Sequence, residues 1–215
     1  MHIEFIDLLR CPVAHADSWL VAAFTRMDGR MVLEGKLGCP VCNASYAVRD
    51  GVALLRADTI RDAPRGVARS GNELEDDLND VNAATRVAAF LELTRPGSLA
   101  LLAGTWARAA EAVAELAQAR IISLNSPGVT HGSESVAELR CTGRIGLAER
   151  SLDGAALDAE HSTPEMLNEA ARLLRPRGRV IASASASLPP QFRELARDEN
   201  HLVAEYVGEL VPLRR

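Results

Sequence analysis

The residues that most constrain the fold lie between positions 98 and 125, where two apolar segments flank a helical pattern. SLALLAG (98–104) and RIISLN (120–125) are typical of short buried strands, and TWARAAEAVAELAQA (105–119) places apolar residues at helical spacing. A strand, a helix and a strand joined by short connections form a βαβ unit, whose two strands are parallel. The sequence therefore predicts an α/β fold with a mostly parallel sheet flanked by helices.

Further elements continue this pattern on both sides. AATRVAAFLELTRPG (83–97) predicts a helix that ends at a Pro-Gly pair. In STPEMLNEAARLLRPRG (162–178), Thr163 can cap a helix whose first turn contains Pro164. Strands are predicted at RVIASAS, at HLVAEYV and near GRIGLAE, which are residues 179–185, 201–207 and 143–149.

The first 56 residues have a different character. Short apolar stretches alternate with turns at Asp28-Gly29 and Asp50-Gly51, a pattern typical of β-hairpins. We therefore predict a small hairpin domain over 1–56, a linker and acidic helix start over 57–82, and the α/β domain over 83–215.

The hairpin region contains most of a tetrahedral metal site. CPVC supplies Cys39 and Cys42, and RCPVAH supplies Cys11 but has Ala14 at the position of the second thiolate. His15 could be the fourth ligand, although it lies one residue beyond the expected position. Alternatively, the site is a remnant, the three cysteines are small buried hydrophobic residues, and apolar side chains such as Trp19, Phe24 and Leu37 hold the hairpins together.

These residues resemble a known family. FIDLLRCPVAHADSWL followed by GKLGCPVCNASYAVRDGVALLR is similar to the zinc-ribbon family that includes the activator subunit of several eukaryotic tRNA and protein methyltransferases and its short bacterial relatives. The resemblance covers about a quarter of the chain. It implies zinc as the metal, with Cys11, His15, Cys39 and Cys42 as candidate ligands, and docking on methyltransferase domains through an added strand.

The second half is similar to class I methyltransferases that use S-adenosylmethionine, chiefly in LLRPRGRVIAS, where Arg177 replaces one glycine of the family's turn. The resemblance places cofactor contacts at Gly104, Thr105 and Asn125. Only Gly104 remains of the expected glycines, Trp106 adds bulk, and Asn125 replaces the acidic residue that holds the ribose. We therefore expect the cofactor pocket to be lost, S-adenosylmethionine not to bind, and no residue to be catalytic.

Composition narrows the remaining functions. The formal net charge is −5, without a block of basic residues, which argues against nucleic acid as a partner. The acidic N-terminus is unlike a signal peptide and no apolar run is long enough to span a membrane, so a cytoplasmic protein is expected. The leading hypothesis is a non-catalytic scaffold or regulatory subunit, a pseudoenzyme, that binds a protein partner or itself. The alternatives are an active S-adenosylmethionine-dependent methyltransferase and a zinc-dependent adaptor.

Overall fold

The computed structural model describes residues 1–56, 81–126 and 132–208. The first segment contains a 3₁₀ helix and four strands: Ile3–Leu8, then β1 Val21–Asp28, β2 Met31–Gly38, β3 Ser45–Arg49 and β4 Val52–Leu55. Both predicted Asp-Gly turns are present, because Gly29 and Gly51 adopt positive φ between the paired strands.

The remaining segments alternate helices and strands before ending in a hairpin. The elements are α1 Val81–Phe90, β5 Leu99–Ala103, a 3₁₀ helix Gly104–Ala109, α2 Ala110–Ala117, β6 Arg120–Leu124, β7 Val136–Cys141, β8 Leu152–Ala156, α3 Pro164–Leu173, β9 Leu174–Ser183, β10 Phe192–Arg197 and β11 His201–Tyr206. The side chain of Thr163 accepts a hydrogen bond from the Met166 amide, so the predicted cap of α3 is confirmed.

The eleven strands of the described segments form one sheet in the order β1-β2-β3-β4-β7-β6-β5-β8-β9-β11-β10. The central strands β7, β6, β5, β8 and β9 are parallel, in the 3-2-1-4-5 order of a doubly wound fold. The two ends of the sheet are antiparallel. The predicted α/β class, with hairpins joined to a Rossmann-like sheet, is confirmed.

The hairpin region continues the sheet directly. Strand β4 pairs in parallel with β7, from Val52 opposite Glu138 to Leu55 opposite Cys141. One apolar core contains side chains from both regions, including Leu37, Tyr46, Leu139 and Leu167, and the other lies between the sheet and helices α1 and α2. The predicted linker, 57–82, lies outside the described residues except for the first two residues of α1.

The strand predicted near GRIGLAE is wrong. Residues 143–149 form a loop in which Leu147 makes one isolated bridge to Leu9. The Arg172 guanidinium fixes this loop by donating to the carbonyls of Ile145 and Leu147. The strands of this part of the sheet, β7 and β8, lie on either side of the loop.

The described helices do not include one that is both long enough and apolar enough to cross a lipid bilayer.

Candidate functional site

The CPVC segment forms a tight turn between β2 and β3. The Cys39 amide donates to Ala44 O (2.9 Å) and the Asn43 amide donates to Cys39 O (3.0 Å). Asn43 has φ +59°, a left-handed conformation that asparagine tolerates better than most residues. This turn places Cys39 and Cys42 on the same side, as a metal-binding knuckle requires.

The RCPVAH segment forms a different turn that compensates for Ala14. The Cys11 amide donates to Ser18 O (3.0 Å), and the His15 amide donates to Val13 O (2.9 Å). The second hydrogen bond brings the His15 imidazole inward, so that its Nε2 lies 3.4 Å from Cys39 Sγ.

Four potential ligand atoms therefore meet at one point. The Sγ atoms of Cys11, Cys39 and Cys42 and a ring nitrogen of His15 all lie within 4.8 Å of one another, and they could hold a metal ion. Cys11 Sγ and Cys42 Sγ are 3.7 Å apart, too far for a disulfide. Two thiolates on a tetrahedral zinc are about 3.8 Å apart, and a thiolate and an imidazole nitrogen about 3.6 Å. The 3.7 Å between Cys11 Sγ and Cys42 Sγ and the 3.4 Å between Cys39 Sγ and His15 Nε2 are close to these ligand–ligand distances.

Hydrogen bonds orient the side chains of the cluster. His15 Nδ1 lies 2.5 Å from Ala16 O, an arrangement in which Nδ1 carries the proton and the Nε2 lone pair faces the sulfurs. Burial by itself raises the pKa of Cys39, but hydrogen bonds from the Cys42 and Val41 amides outweigh it and lower the pKa to about 6. Burial raises the pKa of Cys11. Cys39 is therefore largely the thiolate at neutral pH, the form that binds metals.

The apolar support predicted for the hairpins is correct only in part. Leu37 is buried and Phe24 packs against the core, but Trp19 is 69% exposed and lies over the Arg10 guanidinium (5.2 Å). Cys11 and Cys39 are buried in the apolar core, as the alternative predicts, whereas Cys42 is exposed and is not a small buried hydrophobic residue. The ribbon therefore contains an apolar core as well as the ligand cluster.

The second candidate site lies at the carboxyl end of β5, where a cofactor turn was predicted. Gly104 has φ +61°, and a Cβ atom at this position would overlap the Asp158 carboxylate. One oxygen of that carboxylate, Oδ2, accepts a hydrogen bond from the Thr105 amide (2.8 Å). The chain's own carboxylate therefore covers the turn that a ligand would have to approach.

Asp158 is fixed in this position by His161. His161 Nδ1 lies 2.6 Å from Asp158 Oδ1, and the His161 amide donates to the same oxygen (3.0 Å). Burial raises the pKa of Asp158, but the bonds from His161 and from the Thr105 amide outweigh it, so the pKa lies below its usual value. Asp158 is consequently ionised at neutral pH and matches the two amide donors.

The other side chains considered for the cofactor site also make contacts within the protein. Asn125 Nδ2 donates to Cys141 O (3.0 Å) and Asn125 Oδ1 accepts from the Cys141 amide (3.1 Å), so its side chain joins the ends of β6 and β7. Trp106 is buried in the core beneath α1 and α2, with its ring 5.2 Å from that of His201. Gly104 and Thr105 thus lie together at the turn, whereas Asn125 is bonded to the neighbouring strand.

Sequence reasoning missed the role of Asp158 and His161. Both were visible in LDGAALDAEHSTPE, but acidic residues in a polar loop are ordinarily exposed, and neither received a role. The useful indication was position: Asp158 follows β8 closely, and side chains at the carboxyl ends of parallel strands converge on the ligand crevice.

No protein-family model matches the chain, and no curated protein matches it. Solved structures with similar folds include a provisionally assigned sarcosine dimethylglycine methyltransferase from Galdieria sulphuraria (17% identity, 57% of this chain and 53% of that one, TM-score 0.39). Another is a provisionally assigned methyltransferase from an antibiotic biosynthesis pathway of Anabaena variabilis (18%, 48% and 45%, 0.39). A third is phosphoethanolamine N-methyltransferase 2 of Haemonchus contortus in complex with S-adenosyl-L-methionine (15%, 54% and 30%, 0.39). The chain spans about half the length of the first two and less than a third of the last.

Proposed function

We propose that this chain is a non-catalytic protein-binding subunit, in which a zinc-bearing ribbon and a Rossmann-like sheet form one platform. The observation that carries the proposal is the Asp158 carboxylate on the Gly104 turn. A methyltransferase must keep this turn open to its cofactor. Here the turn is closed by an ionised side chain with two amide hydrogen bonds.

The residues of this chain fit S-adenosylmethionine poorly. A cofactor at the turn would have to displace Asp158 from the Thr105 amide and from His161. It would find the Asn125 amide group committed to Cys141, without the negative charge that makes a carboxylate a strong acceptor for ribose hydroxyls. Each displacement breaks hydrogen bonds that are part of the fold, so it opposes binding.

The residues of the ribbon, by contrast, fit zinc. Three thiols and one imidazole are the donor set of a structural Cys₃His site, which has no open coordination position for catalysis. A bound zinc would supply folding free energy to the ribbon by holding its two knuckles together. The resemblance to the methyltransferase-activator family also agrees with the pairing of β4 and β7, in which the ribbon contributes the added strand within one chain.

The competing hypothesis is an active S-adenosylmethionine-dependent methyltransferase. It requires Asp158 to leave the Gly104 turn when the cofactor arrives, with Gly104, Thr105 and Asn125 taking up the ligand. The Rossmann-like strand order supports this hypothesis as much as it supports the first, because the same fold serves many functions.

Isothermal titration calorimetry separates the two hypotheses. We expect no saturable heat when the zinc-loaded protein is titrated with S-adenosylmethionine or S-adenosylhomocysteine up to about 1 mM. A dissociation constant in the micromolar range would overturn the non-catalytic proposal. Protein with Asp158 replaced by alanine serves as the comparison, since weak binding that appears only in this variant identifies the carboxylate as the obstacle.

A zinc-dependent adaptor is the second candidate, and the cluster of Cys11, His15, Cys39 and Cys42 favours it. In this version the metal sets whether the ribbon is folded and therefore whether a partner can bind. Metal analysis of purified protein tests it directly. About one zinc per chain is expected, and metal-free protein that keeps its folded ribbon would remove this candidate.

A further inference from the structure

Exposed arginines gather at the end of the sheet opposite the Gly104 turn. Arg175 and Arg177 lie at the start of β9, Arg193 lies on β10, and Arg95 and Arg150 lie in the loops before β5 and β8. We call these five residues the arginine surface. They form a local group of basic side chains in a chain whose formal net charge is −5.

Two nearly buried carboxylates organise the arginine surface. Asp153, with a side chain 12% exposed, lies 3.0 Å from the Arg95 guanidinium and 3.2 Å from that of Arg175. Glu205, with a side chain 11% exposed, pairs with Arg193 and lies 3.5 Å from Arg177. Each carboxylate is shared by two guanidiniums, so one positive charge of each pair of arginines is not balanced.

Within the described residues, the neighbouring acids are paired with other arginines and do not cancel this excess. Glu92, in the loop before Arg95, pairs with Arg179 (2.7 Å), and Glu149, beside Arg150, pairs with Arg144 (3.7 Å). Asp153 is also held by the Leu99 amide (2.9 Å), which fixes the carboxylate and with it the two guanidiniums.

The backbone at this surface is unfavourable for the residues it carries. Arg177 has φ +69° and Arg150 has φ +51°, conformations that glycine adopts freely and side chains with a Cβ atom rarely adopt. The Arg177 side chain is 90% exposed, and its ion pair with Glu205 is too solvated to offset this strain. An arginine held in this way is better explained by what it binds than by what it stabilises.

We infer that the arginine surface docks an acidic segment of a protein partner, a step that rests on the proposed protein-binding function. Asp153 lies on β8 and Glu205 on β11, the two strands that flank β9, so both arginine pairs lie beside the start of β9. A carboxylate of the partner would meet two guanidiniums at either pair, and the planar fork of arginine suits carboxylates.

A short acidic segment fits better than nucleic acid. The arginine surface is limited to a few residues, and the rest of the chain carries the opposite charge. A long polyanion that extended beyond it would be repelled, whereas a short segment would not.

The test uses the full-length, zinc-loaded chain and a fluorescein-labelled hexaglutamate peptide, with anisotropy measured at low and at physiological salt. The variants are Arg177→Gly and the pair Arg95→Gln with Arg175→Gln. Arg30→Gln is the matched control, since Arg30 is an exposed arginine paired with Glu4 in the ribbon. We expect saturable binding that weakens with salt, that falls at least about fivefold in the variants and that is unchanged in the control.

Arg177→Gly adds a readout that a structural role would not give. Glycine relieves the left-handed backbone, so the melting temperature should rise while peptide binding weakens. No binding by the wild-type chain, equal binding by all variants, or a melting temperature that falls with Arg177→Gly would overturn the inference. Tighter binding of a labelled hexadeoxynucleotide, lost in the same variants, would overturn it in favour of nucleic acid. None of these outcomes depends on S-adenosylmethionine titration, so this inference and the proposed function can fail separately.

Discussion

The knuckle end of the ribbon and the carboxyl end of the parallel sheet each lack a residue that their chemistry ordinarily needs, but the structure treats the two sites in opposite ways. At the ribbon, His15 moves into the place that Ala14 cannot fill, and four ligand atoms converge. At the sheet, Asp158 covers the Gly104 turn and Asn125 bonds to β7. In the ribbon, His15 completes a cluster of four ligand atoms. At the sheet, the Asp158 side chain covers the Gly104 turn.

This difference shows when the change of an expected site residue removes the function of the site. A change at a ligand position removes function only if no nearby side chain reaches the same point in space. A binding turn can keep its glycine and still be blocked by a residue far away in the sequence. The following predictions test each half of the comparison, beginning with the largest effect.

Replacing a proposed zinc ligand should have the largest effect. Cys39→Ser is expected to abolish stoichiometric zinc and to lower the free energy of unfolding by about 5 kcal/mol or more, because zinc binding supplies folding free energy in small metal domains. Zinc content by mass spectrometry and urea unfolding measure the two effects. Cys141→Ala, which changes a buried cysteine outside the cluster, should keep the zinc.

The role of His15 as a ligand can be tested by removing its imidazole and placing a cysteine at position 14. His15→Ala should reduce zinc content, and adding Ala14→Cys in the same chain should restore it, since the added thiol and that of Cys11 would then have the usual knuckle spacing. Full zinc content in His15→Ala alone would show that the imidazole is not a ligand.

Adding a methyl group at the closed turn should be costly. Gly104→Ala places a Cβ atom against Asp158 in a left-handed backbone, and we expect a loss of about 3 kcal/mol in the free energy of unfolding. Gly29→Ala is the matched control, because Gly29 has φ +55° with no atom near the position of the added Cβ, and its expected cost is about 1 kcal/mol. Equal costs for the two would mean that Asp158 does not lie on the turn.

The charge of Asp158 should contribute a smaller, pH-dependent stability. Asp158→Asn is expected to cost about 1–2 kcal/mol at pH 7 through loss of charge-assisted hydrogen bonds from Thr105 and His161. Since folding lowers the pKa of Asp158, its contribution is complete above the ordinary value of 3.8 and is lost as the pH falls through the lower folded value. Urea unfolding at pH 7 and near pH 3 should show the two proteins converging in acid. A difference that grows in acid would contradict this assignment.

The smallest effect is expected at Trp19. This side chain is mostly exposed, so Trp19→Ala should change the free energy of unfolding by no more than about 0.5 kcal/mol. Leu37→Ala, at a buried position in the same ribbon, should cost about 2–5 kcal/mol. A large effect of Trp19→Ala would show that this exposed side chain, and not only buried ones such as Leu37, stabilises the ribbon.

Local patterns predicted much of the fold, and long-range contacts account for what they missed. The hairpin strands, β5, β6, β9 and β11 follow from apolar periodicity, and the cap of α3 follows from Thr163. Strand β7 was missed because Glu138 and Arg140 interrupt its apolar pattern, and β10 because it is an exposed edge strand with alternating charges.

The candidate sites show the same limit. Three cysteines were evident from their spacing, but whether His15 reaches them depends on a turn that only the folded chain defines. Asp158 and Thr105 are 53 residues apart, and no local pattern indicates their contact. The sequence identified the departures from the two patterns that it resembles, but it could not show that His15 lies with the three thiols or that Asp158 covers the Gly104 turn.

The Thr105 amide gives the most direct test, because Asp158 is the group said to hold it. In a ¹H–¹⁵N spectrum of labelled, zinc-loaded protein, this resonance should stay unchanged on addition of S-adenosylhomocysteine to about 1 mM and should shift in Asp158→Asn. A saturable shift of the Thr105 resonance with the nucleoside, in the wild-type chain, would contradict the account.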